Sequence, residues 1–123
     1  QFKVAFKGNG QVLWNIRAEK DNPGLVIKVD LKNQILEVDR QAVFPLVEGA
    51  KTERDTHRKL QYSSDGKVLE LEVWLDHTSF EIFVNQGRSV LSGRLFTTET
   101  AQNCNFKVDG NVTVTGEWHE IVK

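Results

Sequence analysis

Two carboxylates stand close together in the stretch Trp74-Leu75-Asp76-His77-Thr78-Ser79-Phe80-Glu81. A pair of acids is what glycoside hydrolysis needs: one protonates the leaving oxygen while the other attacks the sugar or activates water. The two stand about 5–5.5 Å apart in retaining enzymes and about 6.5–9.5 Å apart in inverting ones. The same neighbourhood also suits sugar binding. Asp76 and Glu81 would accept hydroxyl protons, a forked donor such as Arg58 or Arg94 would supply the opposite polarity, and Trp74 would form an apolar wall. A third account needs no ligand. Asp76 at a turn can accept the backbone N–H of Thr78 or Ser79, and Glu81 can pair with Arg58 or Arg94 from a neighbouring strand. This structural account explains both acids with the fewest assumptions.

Other chemistries find little support. His57, His77 and His119 lack metal-ligand spacing, Cys104 has no second thiol, and no HExxH segment occurs. There is no Ser-His-Asp arrangement and no glycine-rich phosphate loop, so no cofactor is implied. The mixed run Lys51-Thr52-Glu53-Arg54-Asp55-Thr56-His57-Arg58-Lys59 reads as a solvated loop. Asn111-Val112-Thr113 fits a glycosylation sequon, but Asn111 is better explained by the Asp109-Gly110 turn.

The elements that must position the acids follow from period-2 alternation. If Leu75 faces Phe80 across Asp76-His77-Thr78-Ser79, then Val73 faces Ile82 and Leu71 faces Val84. All six side chains then share one apolar face. The opposite face carries Trp74 against Glu81 and Glu72 against Phe83, with Asp76 one diagonal step, roughly 7–8 Å, from Glu81. The second turn, Asn85-Gln86-Gly87, fits either a two-residue turn or a type I turn with a Gly87 bulge.

The same alternation runs through the rest of the chain. Phe2, Val4 and Phe6, then Val12, Trp14 and Ile16, flank Gly8-Asn9-Gly10 and read as a hairpin. Pro23-Gly24 suits the centre of a turn, with Gly24 left-handed. Segments 25–31 and 34–39 form a second hairpin. Further strands are expected at 68–75, 80–84, 88–96, 103–108 and 111–118, the last two joined by Asp109-Gly110, a strong hairpin signal. Within 40–67 a structureless loop would be unusually long, so 57–62 is expected to be another strand. No window shows helical periodicity. The pattern predicts an all-β fold, an antiparallel sandwich or barrel.

Bulk properties agree with a single domain over 1–123. The length of 123 residues suffices for a real core, and 39% hydrophobic with 27% charged residues is ordinary for a globular chain. A net charge of −1 argues against a nucleic-acid partner, and no segment is long enough to span a membrane as a helix. The chain has no Met and opens at Gln1 on a strand-like run, which reads as an excised piece of a longer protein. The lone Cys104 excludes an internal disulfide and slightly favours a reducing compartment.

The stretch "LEVWLDHTSFEIFVNQGRSVLSGRLF" resembles the signature hairpins of the C-terminal β-sandwich in glycoside hydrolase family 32, the β-fructosidases. The matching positions are Asp76, Thr78, Ser79, Glu81, Ile82, Phe83, Val84, Gly87, Arg94 and Phe96. "LEVDR" at 36–40 and Arg58 in "DTHRKL" fit the family pattern upstream. The resemblance implies an all-β, antiparallel two-sheet β-sandwich, jelly-roll-like and concanavalin- or lectin-like, that packs on a catalytic β-propeller of the same polypeptide, in a sucrose, sucrose-6-phosphate or fructan hydrolase. It also implies that the catalytic acids lie in that propeller, within Asn-Asp-Pro, Arg-Asp-Pro and Glu-Cys motifs. None of these occurs here: "KDNPG" has the letters in another order, Thr56 follows Arg54-Asp55, and no Glu precedes Cys104. The chain by itself is therefore expected to be non-catalytic, with a fructan-binding module as the rival reading and fructose oligomers as its ligands.

Overall fold

The computed structural model describes residues 1–43, 57–63, 68–95 and 103–118. Ten strands account for most of them: β1 (Phe2–Gly8), β2 (Gln11–Ala18), β3 (Leu25–Asp30), β4 (Ile35–Asp39), β5 (His57–Gln61), β6 (Val68–Leu75), β7 (Ser79–Val84), β8 (Ser89–Arg94), β9 (Asn103–Asp109) and β10 (Val112–Trp118). One 3₁₀ turn, Gln41–Val43, follows β4. The strand expected near 57–62 is β5; residues 44–56, the rest of the acidic-basic run among them, lie outside the described residues, as do Phe96 and His119.

The strands form two five-stranded antiparallel sheets, β10-β1-β6-β7-β8 and β5-β4-β3-β2-β9. Alternation dictates what lies between them. Val4 and Phe6 from β1, Leu69, Leu71 and Val73 from β6, and Phe80, Ile82 and Val84 from β7 meet Val12, Trp14, Ile16, Leu25, Ile27, Val29, Leu36 and Val38 from the other sheet, all at 7% exposure or less. Burying each large apolar side chain contributes roughly 1.5–3 kcal/mol. Trp14 is the centre: Phe2 and Phe6 meet it edge-on, and Phe106 of β9 stacks on it at 5.0 Å.

Two expected hairpins are not hairpins. β1 pairs with β6 and β10, and β2 pairs with β3 and β9, so Gly8-Asn9-Gly10 carries the chain from one sheet to the other. The Asp109-Gly110 turn likewise joins β9 in one sheet to β10 in the other. The reason is that both flanking strands keep their apolar sides inward, which a crossover between facing sheets satisfies as well as a hairpin does. The two corners cross in contact. Asn9 N donates to Asn111 O at 3.1 Å. A Cβ at Gly8 would lie 2.0 Å from Asn111 O, and one at Gly10 would lie 2.3 Å from Asp109 O. The glycines are there for close backbone approach, not to shape a hairpin.

The β6–β7 register is as the alternation requires: Leu71–Val84, Val73–Ile82 and Leu75–Phe80, with Glu72–Phe83 and Trp74–Glu81 on the outer face. Leu75 is only partly buried, at the end of the stripe. The β3–β4 hairpin is present, with Val29 against Leu36. Gly24 takes the expected left-handed conformation, φ 73°. The β7–β8 connection fits neither proposed turn: the ladder closes at Val84–Ser89, leaving four residues, of which Asn85, Gln86 and Gly87 all have positive φ. Asn85 offsets this strain locally, because its side chain accepts from Glu70 N and donates to Ser63 O, tying the loop to its neighbours.

Candidate functional site

The candidate residues gather around the β6–β7 hairpin only in part. Trp74 and Glu81 face each other on the outer side of their sheet, and Ser92 of β8 flanks Glu81 on its other side. Arg94 lies opposite Ser79, one diagonal step from Glu81. Asp76 sits beyond the last ladder pair, where its N–H donates to Ser79 O at 2.9 Å and its Oδ1 accepts the His77 N–H at 2.8 Å. The local turn role expected for Asp76 is visible in this bond from His77, the next residue along the chain.

The ion pair expected for Glu81 does not form: among the described residues neither Arg58 nor Arg94 pairs with it, and Glu81 is exposed. Topology explains Arg58. It stands on β5, the edge of the other sheet, opposite Val38, so the core separates it from the outer face that carries Glu81. Arg94 shares Glu81's face, but both side chains are exposed, where solvation competes with an ion pair worth at most about 1 kcal/mol.

The arginine that reaches the hairpin is one the sequence does not announce. Arg17, near the end of β2, lies in a register break between Asn15 and Ala18 and has φ 55°. Its guanidinium crosses between the sheets and donates to His77 O at 3.3 Å. Burial lowers the Arg17 pKa below its ordinary value, while the charge of Asp76 opposes that shift. The bulge is supported from below: buried Asn15 donates to Pro23 O at 2.8 Å. A second tether of the same kind joins the sheets further along. Arg40, just after β4, donates to Arg94 O at 2.9 Å. It lies against Gly93, where a Cβ would meet the Arg40 guanidinium at 2.9 Å and the Phe80 ring at 3.0 Å.

Trp74 is 39% exposed, and its Nε1 donates to Glu72 at 2.9 Å. Gln1 donates to the same Glu72 oxygen at 2.6 Å. Two grooves lie on the outer faces. One, about 520 Å³, is floored by Lys3, Glu70, Glu72, Phe83, Gln86 and Glu117. The other, about 390 Å³, crosses the second sheet between Lys28, Lys59, Lys107, Glu37 and Asp109. Neither is lined by Asp76, Glu81, Trp74, Arg58 or Arg94. Among the described residues neither groove brings Asp76 and Glu81 together, whereas a glycoside hydrolase must enclose its substrate between its two acids.

Elsewhere, His57 is half-buried and hydrogen-bonded to Glu37 on the neighbouring strand. His77 is exposed, as expected of a turn residue. Cys104 is exposed and its Sγ accepts the Trp14 indole N–H at 3.1 Å. Among the described residues no group of three or more His, Cys, Asp or Glu side chains is arranged to hold a metal ion.

Two antiparallel sheets around one shared core, with tethers between them, define a β-sandwich module. The profile of the glycosyl hydrolases family 32 C-terminal region matches residues 1–121, and the chain belongs to that family. A probable sucrose-6-phosphate hydrolase of Vibrio cholerae serotype O1 is 36% identical over 77 residues, which is 63% of this chain and 13% of that protein. One from Psychromonas ingrahamii is 30% identical over 92 residues, 75% of this chain and 15% of its own length. The chain therefore spans only a small part of the curated relatives it matches. Among solved structures, the sucrose-6-phosphate hydrolase of Lactobacillus gasseri superposes with a TM-score of 0.73 at 24% identity, over 94% of this chain and 23% of that one. The exo-inulinase of Aspergillus awamori gives 0.74 at 19% identity, over 94% and 24%. At these identities the likeness speaks for the fold.

Proposed function

We propose that the chain is the non-catalytic C-terminal sandwich of a β-fructosidase of the sucrose-6-phosphate hydrolase kind, and that it packs on the catalytic β-propeller of the same polypeptide and stabilises it. The observation that carries this reading is the extent of the family match, 1–121, within relatives of which the chain spans only 13–15%. The lack of the propeller's acid motifs and the bonded state of Asp76 support it. The test has two arms. The chain alone should give no turnover of sucrose, sucrose-6-phosphate, levan or inulin, and deleting it from the parent enzyme should lower the parent's melting temperature by several degrees. Turnover abolished by Asp76→Asn or Glu81→Gln would overturn the non-catalytic role, and an unchanged melting temperature would overturn the stabilising one.

One observation favours a second reading. Trp74 offers an exposed aromatic face with Glu81, which has no ion-pair partner among the described residues, opposite it, the pairing a fructose ring would use. Calorimetric titration with levan and fructose oligomers decides this. Submillimolar binding lost in Glu81→Ala, with the fold retained, would make the chain a fructan-binding module.

A further inference from the structure

The sandwich is open along one flank. β9 and β10 are the neighbouring edge strands of the two sheets, and every residue of β9 is exposed. The exposure is unusual because it falls on side chains that point inward. Val108 pairs with buried Val12 and Phe106 with buried Trp14, so both share the core face, yet Val108 is 47% and Phe106 39% exposed. Cys104 lies on the same face, close enough to accept from Trp14, and is exposed as well. On the facing edge Val112 and Val114 of β10 are only partly buried. The stack Trp14–Phe106 is thus the last complete layer of the core, and beyond it apolar surface meets water.

We infer that the β9/β10 flank is the face against which the catalytic domain of the same polypeptide docks, closing the core along β9. This assignment rests on the domain role proposed above. Two arguments select an occupant in the same chain over a second copy. The exposed apolar patch consists of a few side chains, whereas a free-standing complex commonly buries about 800 Å² per partner. A covalently linked neighbour works at an effective concentration in the millimolar range, so a small patch suffices. The relatives also supply the occupant, since more than four-fifths of their length lies outside the matched region.

Cys104 makes the docking measurable, because it is the chain's single cysteine and stands within the patch. Its alkylation by iodoacetamide is followed by mass spectrometry of the peptide that contains it, in the 123-residue chain and in the parent enzyme. The rate is expected to be at least tenfold lower in the parent. Val108→Lys in the parent should restore it to the rate of the chain alone. Val90→Lys, at a residue 51% exposed on the outer face of β8, should not. Equal rates in chain and parent would overturn the assignment. If deletion of the domain still destabilises the parent, that result refutes only the face; if it does not, the domain role fails too. A dimer of the 123-residue chain in light scattering, with Cys104 protected in the dimer and released by Val108→Lys, would make a second copy the occupant and also overturn the proposal.

Discussion

The two flanks of the sandwich are built from similar short edge strands, yet they end differently. Beside β5 and β8 the core continues past the strands: Val43 in the 3₁₀ turn, Tyr62 after β5 and Leu95 after β8 are 1%, 6% and 0% exposed. Backbone bonds fix these additions. Tyr62 N donates to Gln34 O, Leu95 N to Thr78 O, and Val43 N to Arg40 O. Arg40 then joins the sheets at the same side. Beside β9 and β10 Phe106 and Val108 remain in contact with water. Regular pairing alone therefore does not seal a two-sheet core. On the β5/β8 flank residues just outside the strands do so, while on the other flank Phe106 and Val108 stay exposed.

This contrast makes side-chain size a poor guide to cost. Leu95→Ala, on the sealed flank, should destabilise by about 2–5 kcal/mol through lost burial and a cavity. Phe106→Ala removes a larger side chain but should cost only about 1–2 kcal/mol, since much of the ring is already hydrated. Urea unfolding followed by tryptophan fluorescence compares them directly. A Phe106→Ala cost equal to that of Leu95→Ala would mean that the β9/β10 flank is closed in solution.

Gly93→Ala probes the tether on the sealed side. The new Cβ would press on the Phe80 ring and the Arg40 guanidinium at 3.0 and 2.9 Å. A loss of about 1–3 kcal/mol is expected from this overpacking. If Arg40→Met by itself proves neutral, and if Gly93→Ala in that background costs as much as before, the ring and not the tether sets the limit.

The smallest effect concerns Tyr62. Its hydroxyl is buried with no hydrogen-bond partner among the described residues. Burial, reinforced by Asp30, raises its pKa from 10.0 to about 12. The unfolded chain gives up this proton near pH 10.0 while the folded protein keeps it to about 12, so the folded state binds more protons across that window. Stability should fall as pH rises from about 10 to about 12, and Tyr62→Phe should remove that part of the decline. At neutral pH the variant should be within about 0.5 kcal/mol of the native chain, because no hydrogen bond is lost. Denaturation midpoints at pH 8 and pH 11.5 for both proteins give the answer.

Much of this architecture is legible in the sequence, and the physics says which part. Alternation in Leu71-Glu72-Val73-Trp74-Leu75 and Phe80-Glu81-Ile82-Phe83-Val84 admits one register that buries a clean stripe, and the structure has it. Alternation fixes which face points inward but not which strand is the neighbour. That is why Gly8-Asn9-Gly10 and Asp109-Gly110 read as hairpins and prove to be crossings between sheets. Around the acids, Asp76 was readable as a turn residue because its bonds are local. That Glu81 lacks the expected arginine, and that Arg17 reaches the Asp76 turn, were not, since both depend on which distant strand lies nearby. Arg17 reaches the hairpin through a bulge in β2, and nothing in Asn15-Ile16-Arg17-Ala18 marks that irregularity.

The crossing of the two corners has a consequence for the order of assembly. β1 lies between β6 and β10, and Gly10 touches Gly110 at the crossing, so the first strand pairs with the last. Closing so long a loop has an entropic cost before any contact repays it, which places folding among the slower, millisecond-to-second topologies. During synthesis β1 must wait until β10 has left the ribosome before its sheet can be completed, and at about 5–20 residues per second that wait lasts several seconds. Through that interval β1 has β6 on one side and lacks its neighbour on the other.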